Sequence, residues 1–125
     1  MLNDSTPIAF VGVSDLARAQ EFYGGVLGLE VVSVDQFAIQ ARASGVALRI
    51  TKVPAVTVAP YTVLGFAVDG IDAKADELAA KGVVLERFPF LGDAQNVKGI
   101  WTSPSGAKVA WFKDPDGNLL SISEF

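Results

Sequence analysis

An internal repeat constrains the fold of this chain more than any other feature. A shift of 55 residues superimposes apolar positions of the two halves, namely Ile8 on Val63, Val13 on Val68 and Leu16 on Ile71. Each half alone has too few residues to bury a stable core, so the two copies must share one fold. The repeat therefore predicts an α+β fold of two tandem β-α-β-β-β modules, which form a cupped mixed β-sheet with helices outside.

Each module contains one segment with helical periodicity. The first helix is predicted from about Asp15 to Val26, with Ser14 or Asp15 as its N-cap. The second is predicted from Ile71 or Asp72 to Lys81 and stops at Gly82. Apolar and β-branched stretches predict strands at 8–13, 30–34, 38–43, 46–53, 62–68, 83–88, 99–102, 108–113 and 119–123. The whole chain, 1–125, is then one domain, with modules at 1–54 and 62–125 and a linker at 55–61.

Charge and composition exclude several classes of function. Ten basic and fourteen acidic residues give a net charge of −4 without any basic block, which argues against a nucleic-acid partner. There is no cysteine, so disulfides, thiolate nucleophiles and cysteine zinc sites are excluded. There is also no histidine, the usual general base and the commonest transition-metal ligand.

The apolar content predicts an interface or a cleft. Half of the residues are apolar, which is more than a monomer of 125 residues needs, so we expect a homodimer or an apolar cleft. No apolar run approaches the roughly 20 residues that span a bilayer. The first residues also lack the basic and apolar regions of a signal peptide. We therefore expect a cytoplasmic protein with no membrane partner.

Two motifs carry a resemblance to a known family. Residues 13–23 (VSDLARAQEFY), followed by 26–30 (VLGLE), resemble the opening of the vicinal oxygen chelate superfamily, which includes glyoxalase I, bleomycin resistance proteins and extradiol dioxygenases. Residues 112–118 (FKDPDGN) resemble its closing hairpin. In this hairpin Asp114, Asp116 and Asn118 suit a turn better than a calcium loop, because no bidentate Glu follows at the required spacing. The resemblance covers nearly the whole chain and implies the same fold.

The resemblance also implies where a metal would be held. Metal-dependent members hold a divalent ion with His, Glu or Gln from the first and last strands of both modules, and those positions fall here on Ile8, Val63, Arg49 and Ser121. Two of these side chains have no donor atom, Arg49 is a permanent cation, and Ser121 is a poor neutral ligand. We therefore expect no metal and no cofactor.

Without a metal, the cup itself is the candidate site. Its predicted ligand-binding residues are Arg49, Trp101, Trp111, Ser121, Phe88 and Phe90. Four more rings are available to line it, those of Phe37, Phe66, Phe112 and Tyr61, although any of these aromatics could belong to the core or to a dimer interface instead. Arg49 either faces the cup floor, where it would form an anion- or carbonyl-binding patch beside Ser121, or faces the helices or solvent.

These observations favour a metal-independent protein of the bleomycin resistance type that binds a small organic ligand, antibiotic-like or aromatic, in the cup. The alternative is an enzyme of the same superfamily, a lyase, isomerase or dioxygenase, with an unconventional or absent metal site. A metal-free enzyme would need Arg49 as an electrostatic stabiliser and a carboxylate such as Glu124 as base. A third possibility is a module that binds a protein partner through a sheet edge, for which the sequence offers no positive signal.

Overall fold

The computed structural model describes all 125 residues, which form two compact units, Met1–Thr57 and Val58–Phe125. Both units have the order β-α-β-β-β, so the predicted α+β fold and its duplication are confirmed. The first unit contains β1 (Ile8–Val13), α1 (Leu16–Gln20), β2 (Glu30–Val34), β3 (Ala38–Ala43) and β4 (Val46–Lys52). The second contains β5 (Leu64–Ala67), α2 (Ile71–Ala80), β6 (Trp101–Thr102), β7 (Lys108–Lys113) and β8 (Leu119–Glu124). Neither α1 nor α2 combines the length and the hydropathy needed to cross a membrane.

The sheet of the first unit has the strand order β1-β4-β3-β2. β1 and β4 are parallel, and the other two pairs are antiparallel. Because side chains alternate along a strand, one face packs on α1 and the other is free of helices. The buried residues of the helix side are Val11, Val13, Ile39, Ala41, Leu48 and Ile50. We call the opposite side of this sheet the helix-free face.

The predicted first helix consists of two helical segments. Asp15, one of the two expected caps, accepts a hydrogen bond from the Arg18 N–H at 3.0 Å and so starts α1. From Glu21 to Val26 the helix continues as a π-helix, which the sequence did not predict. This segment lies close to β2: a Cβ built on Gly24 would come within 3.0 Å of Val31 Cγ2. Glycine at this position therefore permits the close approach.

The second unit repeats this arrangement with the strand order β5-β8-β7-β6. β5 and β8 are parallel, and the hairpins that join β6, β7 and β8 are antiparallel. The helix α2 packs against β7 and β8. The buried apolar core on this side of the sheet consists of Ile71, Ala75, Ala110, Phe112, Leu120 and Ile122. As in the first unit, the opposite side is a helix-free face.

One predicted strand of the second module is wrong. Residues 83–88 are not a strand, although the Glu86 N–H donates to the Trp111 carbonyl at 2.7 Å. Two residues later, the Phe88 N–H donates instead to the side chain of Gln95, at 2.8 Å from Oε1. A side chain has thus replaced the neighbouring strand as hydrogen-bond partner, and the sheet ladder does not continue. The predicted strand at 99–102 is shortened to Trp101–Thr102.

The closing hairpin has the predicted turn chemistry. Asp114 Oδ1 accepts hydrogen bonds from the N–H groups of Asp116 and Asn118, each at 2.9 Å. The Asn118 amide donates to Asp114 Oδ2 at 2.8 Å. Gly117 has a φ of 88°, the left-handed conformation that glycine adopts without strain. The acidic side chain of Asp114 therefore serves the turn rather than a calcium ion.

Candidate ligand-binding faces

Four aromatic rings in the second unit form a continuous row. The ring centroids of Phe90 and Phe88 are 5.6 Å apart, and Phe88 meets Trp111 edge-on at 5.2 Å with an interplanar angle of 85°. Trp111 in turn lies 6.1 Å from Trp101. We call these four residues the aromatic row. The structure thus brings together four of the six residues that the sequence predicted as ligand-binding.

Strand alternation places the tryptophans of this row. Ala110 and Phe112 point into the core, so Trp111 between them lies on the helix-free face of β7. Trp101 pairs with Val109, which is two residues from Trp111 and therefore on the same face. The tryptophans are half-buried, whereas the Phe90 ring is 82% exposed. The row therefore offers accessible aromatic surface beside the sheet.

The phenylalanines of the row come from a loop that Gln95 holds in place. Its buried side chain accepts from the Phe88 N–H at 2.8 Å and donates to the carbonyls of Glu86 and Gly99 at 3.1 and 2.9 Å. Sequence reasoning missed Gln95, because one buried amide in a polar loop has no periodicity or motif to mark it.

The same loop is fixed at two further points. Both terminal nitrogens of Arg87 donate to the Asn96 carbonyl, at 2.8 and 2.6 Å. Lys98 forms ion pairs with Asp76 at 3.1 Å and with Asp72 at 3.6 Å on α2. Hydrogen bonding to Asp76 is the main cause that raises the pKa of Lys98 above its ordinary value. The loop is therefore attached to its own unit on both sides of Gln95.

Ser121 lies beside the aromatic row. It pairs with Trp111 in the antiparallel register and with Gly65 in the parallel one, so all three share the helix-free face. Ser121 is only 5% exposed, yet its hydroxyl group makes no hydrogen bond. A Cβ on Gly65 would come within 3.0 Å of Ser121 Oγ. Glycine at position 65 therefore leaves the space that this hydroxyl group occupies.

The sixth predicted residue, Arg49, belongs to the first unit. It pairs with Phe10 on β1 and with Gln40 on β3, which places all three on the helix-free face of that sheet. Of the two orientations considered for Arg49, the structure shows the one that faces away from the helix. The residue is half-buried, and its guanidinium group makes no hydrogen bond and no ion pair.

Asp35 is an acidic residue whose pKa is affected by the charge of Arg49. Its Oδ1 accepts hydrogen bonds from the N–H groups of Phe37 and Ala38, at 2.7 and 2.9 Å. These backbone hydrogen bonds are the main cause that lowers the pKa of Asp35, and the charge of Arg49 is a smaller one. The carboxylate is therefore engaged by its own turn and does not pair with the arginine.

The side chains at the four family metal positions do not fit a metal. Ile8 and Val63 are aliphatic and exposed, and the other two positions hold a cation and a hydroxyl group. No group of three or more His, Cys, Asp and Glu side chains is close enough to hold an ion. Glu124, the nearest carboxylate along β8, accepts hydrogen bonds from the N–H groups of Gly70 and Ile71, at 2.8 and 3.0 Å. It caps α2 and is not placed to act as a base on the helix-free face.

The remaining aromatic candidates divide into two pairs. Phe112 is buried in the core against α2, and Phe66, which pairs with Ile122, lies on the same helix side of the sheet. The core alternative is therefore the observed one for Phe112, whereas Phe66 is only half-buried. Phe37 and Tyr61 are exposed and lie outside the strands.

Comparison with known proteins gives the chain a family. The solved structures that resemble it include SMU.1112c (23% identity, TM-score 0.77, covering 98% of this chain and 99% of that one), a glyoxalase family protein from Enterococcus faecalis (21%, 0.77, 99% and 100%) and lactoylglutathione lyase from Agrobacterium tumefaciens (18%, 0.75, 99% and 96%). At these identities the likeness concerns the fold. Among curated proteins, no sequence gives a significant match. The family model of the Glyoxalase/Bleomycin resistance protein/Dioxygenase superfamily matches residues 7–122, so the chain belongs to this superfamily.

Proposed function

We propose that this protein is a metal-independent binding protein for a small organic compound, antibiotic-like or aromatic, of the bleomycin resistance type. The observation that carries the proposal is the aromatic row on the helix-free face of the second sheet, beside the unpartnered hydroxyl group of Ser121. A row of neighbouring aromatic rings with one polar group suits a planar ligand with a single hydrogen-bonding substituent.

Metal independence rests on the donor set of this chain. The four positions that hold the ion in metal-dependent relatives are Ile8, Val63, Arg49 and Ser121, and none of them supplies a carboxylate or an imidazole. Binding by stacking and hydrophobic contact needs neither a metal nor a general base. Sequestration of a ligand therefore requires no chemistry beyond what the aromatic row of the second unit offers.

Tryptophan fluorescence tests the proposal directly, because Trp101 and Trp111 are the two tryptophans of the chain and both belong to the aromatic row. Bleomycin, ethidium and naphthol serve as probes, and we expect at least one to change the emission with saturation. Phe90→Ala should weaken that binding between about twofold and tenfold, the range for loss of one aromatic contact. Phe125→Ala removes a ring that is 93% exposed at the chain end and should leave binding unchanged.

Chelation and product analysis separate this function from the enzymatic alternative. We expect the bound probe to be recovered unchanged by mass spectrometry, and its affinity to be the same after dialysis against a chelator. Conversion of the probe, or tight stoichiometric zinc, nickel, iron or manganese in the purified protein, would contradict the binding function. The absence of any fluorescence response to all three probes would contradict it as well.

The proposal includes a cytoplasmic homodimer. Half of the residues are apolar, and Val34 and Val46 of the first sheet are among the exposed ones. A second copy could cover such surface. Sedimentation equilibrium should give twice the mass of 13.1 kDa, and a monomer at micromolar concentration would refute this part of the proposal.

A further inference from the structure

The helix-free face of the first sheet differs in charge from the rest of the molecule. The chain as a whole has a net charge of −4. The strand registers place Glu30, Arg42 and Arg49 on this face, so the charged residues of its strands have a net charge of +1; the Asp35 carboxylate, on which the charge of Arg49 acts, lies in the turn between β2 and β3. A positive sheet face in an acidic protein favours an anionic partner.

Arg49 occupies the centre of this face. β4 is an inner strand, so Arg49 has Phe10 on one side and Gln40 on the other. Its guanidinium group is half-buried and makes no hydrogen bond and no ion pair, and the Asp35 carboxylate on which its charge acts is held by hydrogen bonds of its own turn. Two residues further along the same face, the Thr51 hydroxyl group is buried and also unpartnered. This face therefore has more hydrogen-bonding capacity than the protein itself uses.

The two strand neighbours of Arg49, Phe10 and Gln40, contribute different chemical groups. The Phe10 side chain is 62% exposed and presents a ring beside the guanidinium group. The Gln40 side chain is exposed and makes no hydrogen bond, so its amide group is free to donate. A guanidinium group is shaped to bind the two oxygens of a carboxylate at once. Ring, amide and guanidinium together match an aromatic ring that carries a carboxylate.

We propose that Arg49 binds the carboxylate of an aromatic carboxylic acid, with the ligand ring on Phe10 and the Gln40 amide donating to the same carboxylate. This inference names the ligand class and rests on the proposed small-molecule function. It assigns to Arg49 the role of recognising an anion at a position where metal-dependent relatives hold a cation.

The test compares benzoate with benzamide, which has the same ring and no charge. Titration of the full chain, followed by the NMR resonance of the Arg49 Nε–H group, should give benzoate at least about tenfold tighter than benzamide, the ratio expected for a charge-assisted hydrogen bond. Benzoate affinity should fall as salt is added, because the attraction is screened. Arg49→Gln should reduce the ratio to about one, with the fold confirmed by thermal unfolding.

Arg42→Gln is the matched control, because Arg42 is exposed on the same face and is two residues from Gln40 on β3. We expect it to keep the preference for benzoate. Equal affinities for benzoate and benzamide, no benzoate binding at all, or an equal loss in both arginine variants would overturn the proposal. A neutral probe that still changes tryptophan fluorescence would then leave the binding function standing. Benzoate binding at Arg49 with no probe at the aromatic row would instead refute the role of the aromatic row alone.

Discussion

Replacement of Gln95 by alanine tests the account of the loop that carries Phe88. The Gln95 side chain makes three hydrogen bonds, to the Phe88 N–H and to the carbonyls of Glu86 and Gly99. In Gln95→Ala all three backbone groups lose their partner. The bond to Gly99 is buried, so water cannot replace it, whereas the other two are only partly buried.

The expected cost follows from these three contacts. A hydrogen bond contributes about 1 kcal/mol net, and a buried group left unsatisfied costs about 1–3 kcal/mol. Allowing partial rehydration of the groups at Phe88 and Glu86, we expect Gln95→Ala to lower the free energy of unfolding by about 2–4 kcal/mol. This is a large fraction of the roughly 5–15 kcal/mol of a typical domain.

Urea unfolding followed by tryptophan emission measures this loss, because both tryptophans lie in the same unit as Gln95. The control is Gln40→Ala, which removes the same atoms from an exposed glutamine without side-chain hydrogen bonds and should cost no more than about 0.5 kcal/mol. If Gln95→Ala costs no more than Gln40→Ala, the side chain of Gln95 does not hold the loop and the reasoning is refuted.

Three further predictions concern single contacts. Gly65→Ala should destabilise the fold by about 1–3 kcal/mol in denaturant unfolding, because its Cβ would meet Ser121 Oγ at 3.0 Å. Adding Ser121→Ala to the same chain should restore most of the lost stability, and additive costs of the two substitutions would refute the contact. Glu124→Ala should cost about 0.5–2 kcal/mol in the same assay through loss of the α2 cap, and an unchanged stability would contradict the cap. An NMR titration should show the pKa of Asp35 below its ordinary value. The stabilising effect of its turn hydrogen bonds is then fully present above the ordinary pKa and is lost as the pH falls through the lowered pKa. An ordinary pKa would mean that these hydrogen bonds are weak in solution.

The first module is predictable because each of its helices and strands follows a single hydrophobic periodicity. The strands at 8–13, 30–34 and 38–43 have the bounds that the sequence predicted. Alternation along β1 buries Val11 and Val13, and the Asp15 cap starts α1 where the hydrophobic period changes. These signals are local, so the sequence alone is enough to place them.

The second module is less predictable because a side-chain hydrogen bond within a loop, which no periodicity marks, decides part of it. Residues 83–88 have the composition of a strand, but Gln95, seven residues beyond Phe88, takes the Phe88 N–H. The same contact positions Phe88 against Trp111, so the aromatic row could be predicted as a set of residues and not as an arrangement. For Arg49, alternation allowed two orientations, and the register of β1, β3 and β4 was needed to choose between them.

The end of β8 shows why a carboxylate close to the family metal position cannot serve there. Glu124 and Ser121 are separated by an odd number of positions on one strand, so they face opposite sides of the sheet. A slip of one residue would bring a carboxylate to the helix-free face, but it would also move Leu120 and Ile122 out of the core and leave α2 without its cap. Removal of one buried leucine alone costs about 2–5 kcal/mol, so the slip is prohibited. The register of β8 therefore keeps a hydroxyl group beside Trp111, and the core that fixes this register also fixes the chemistry of the face.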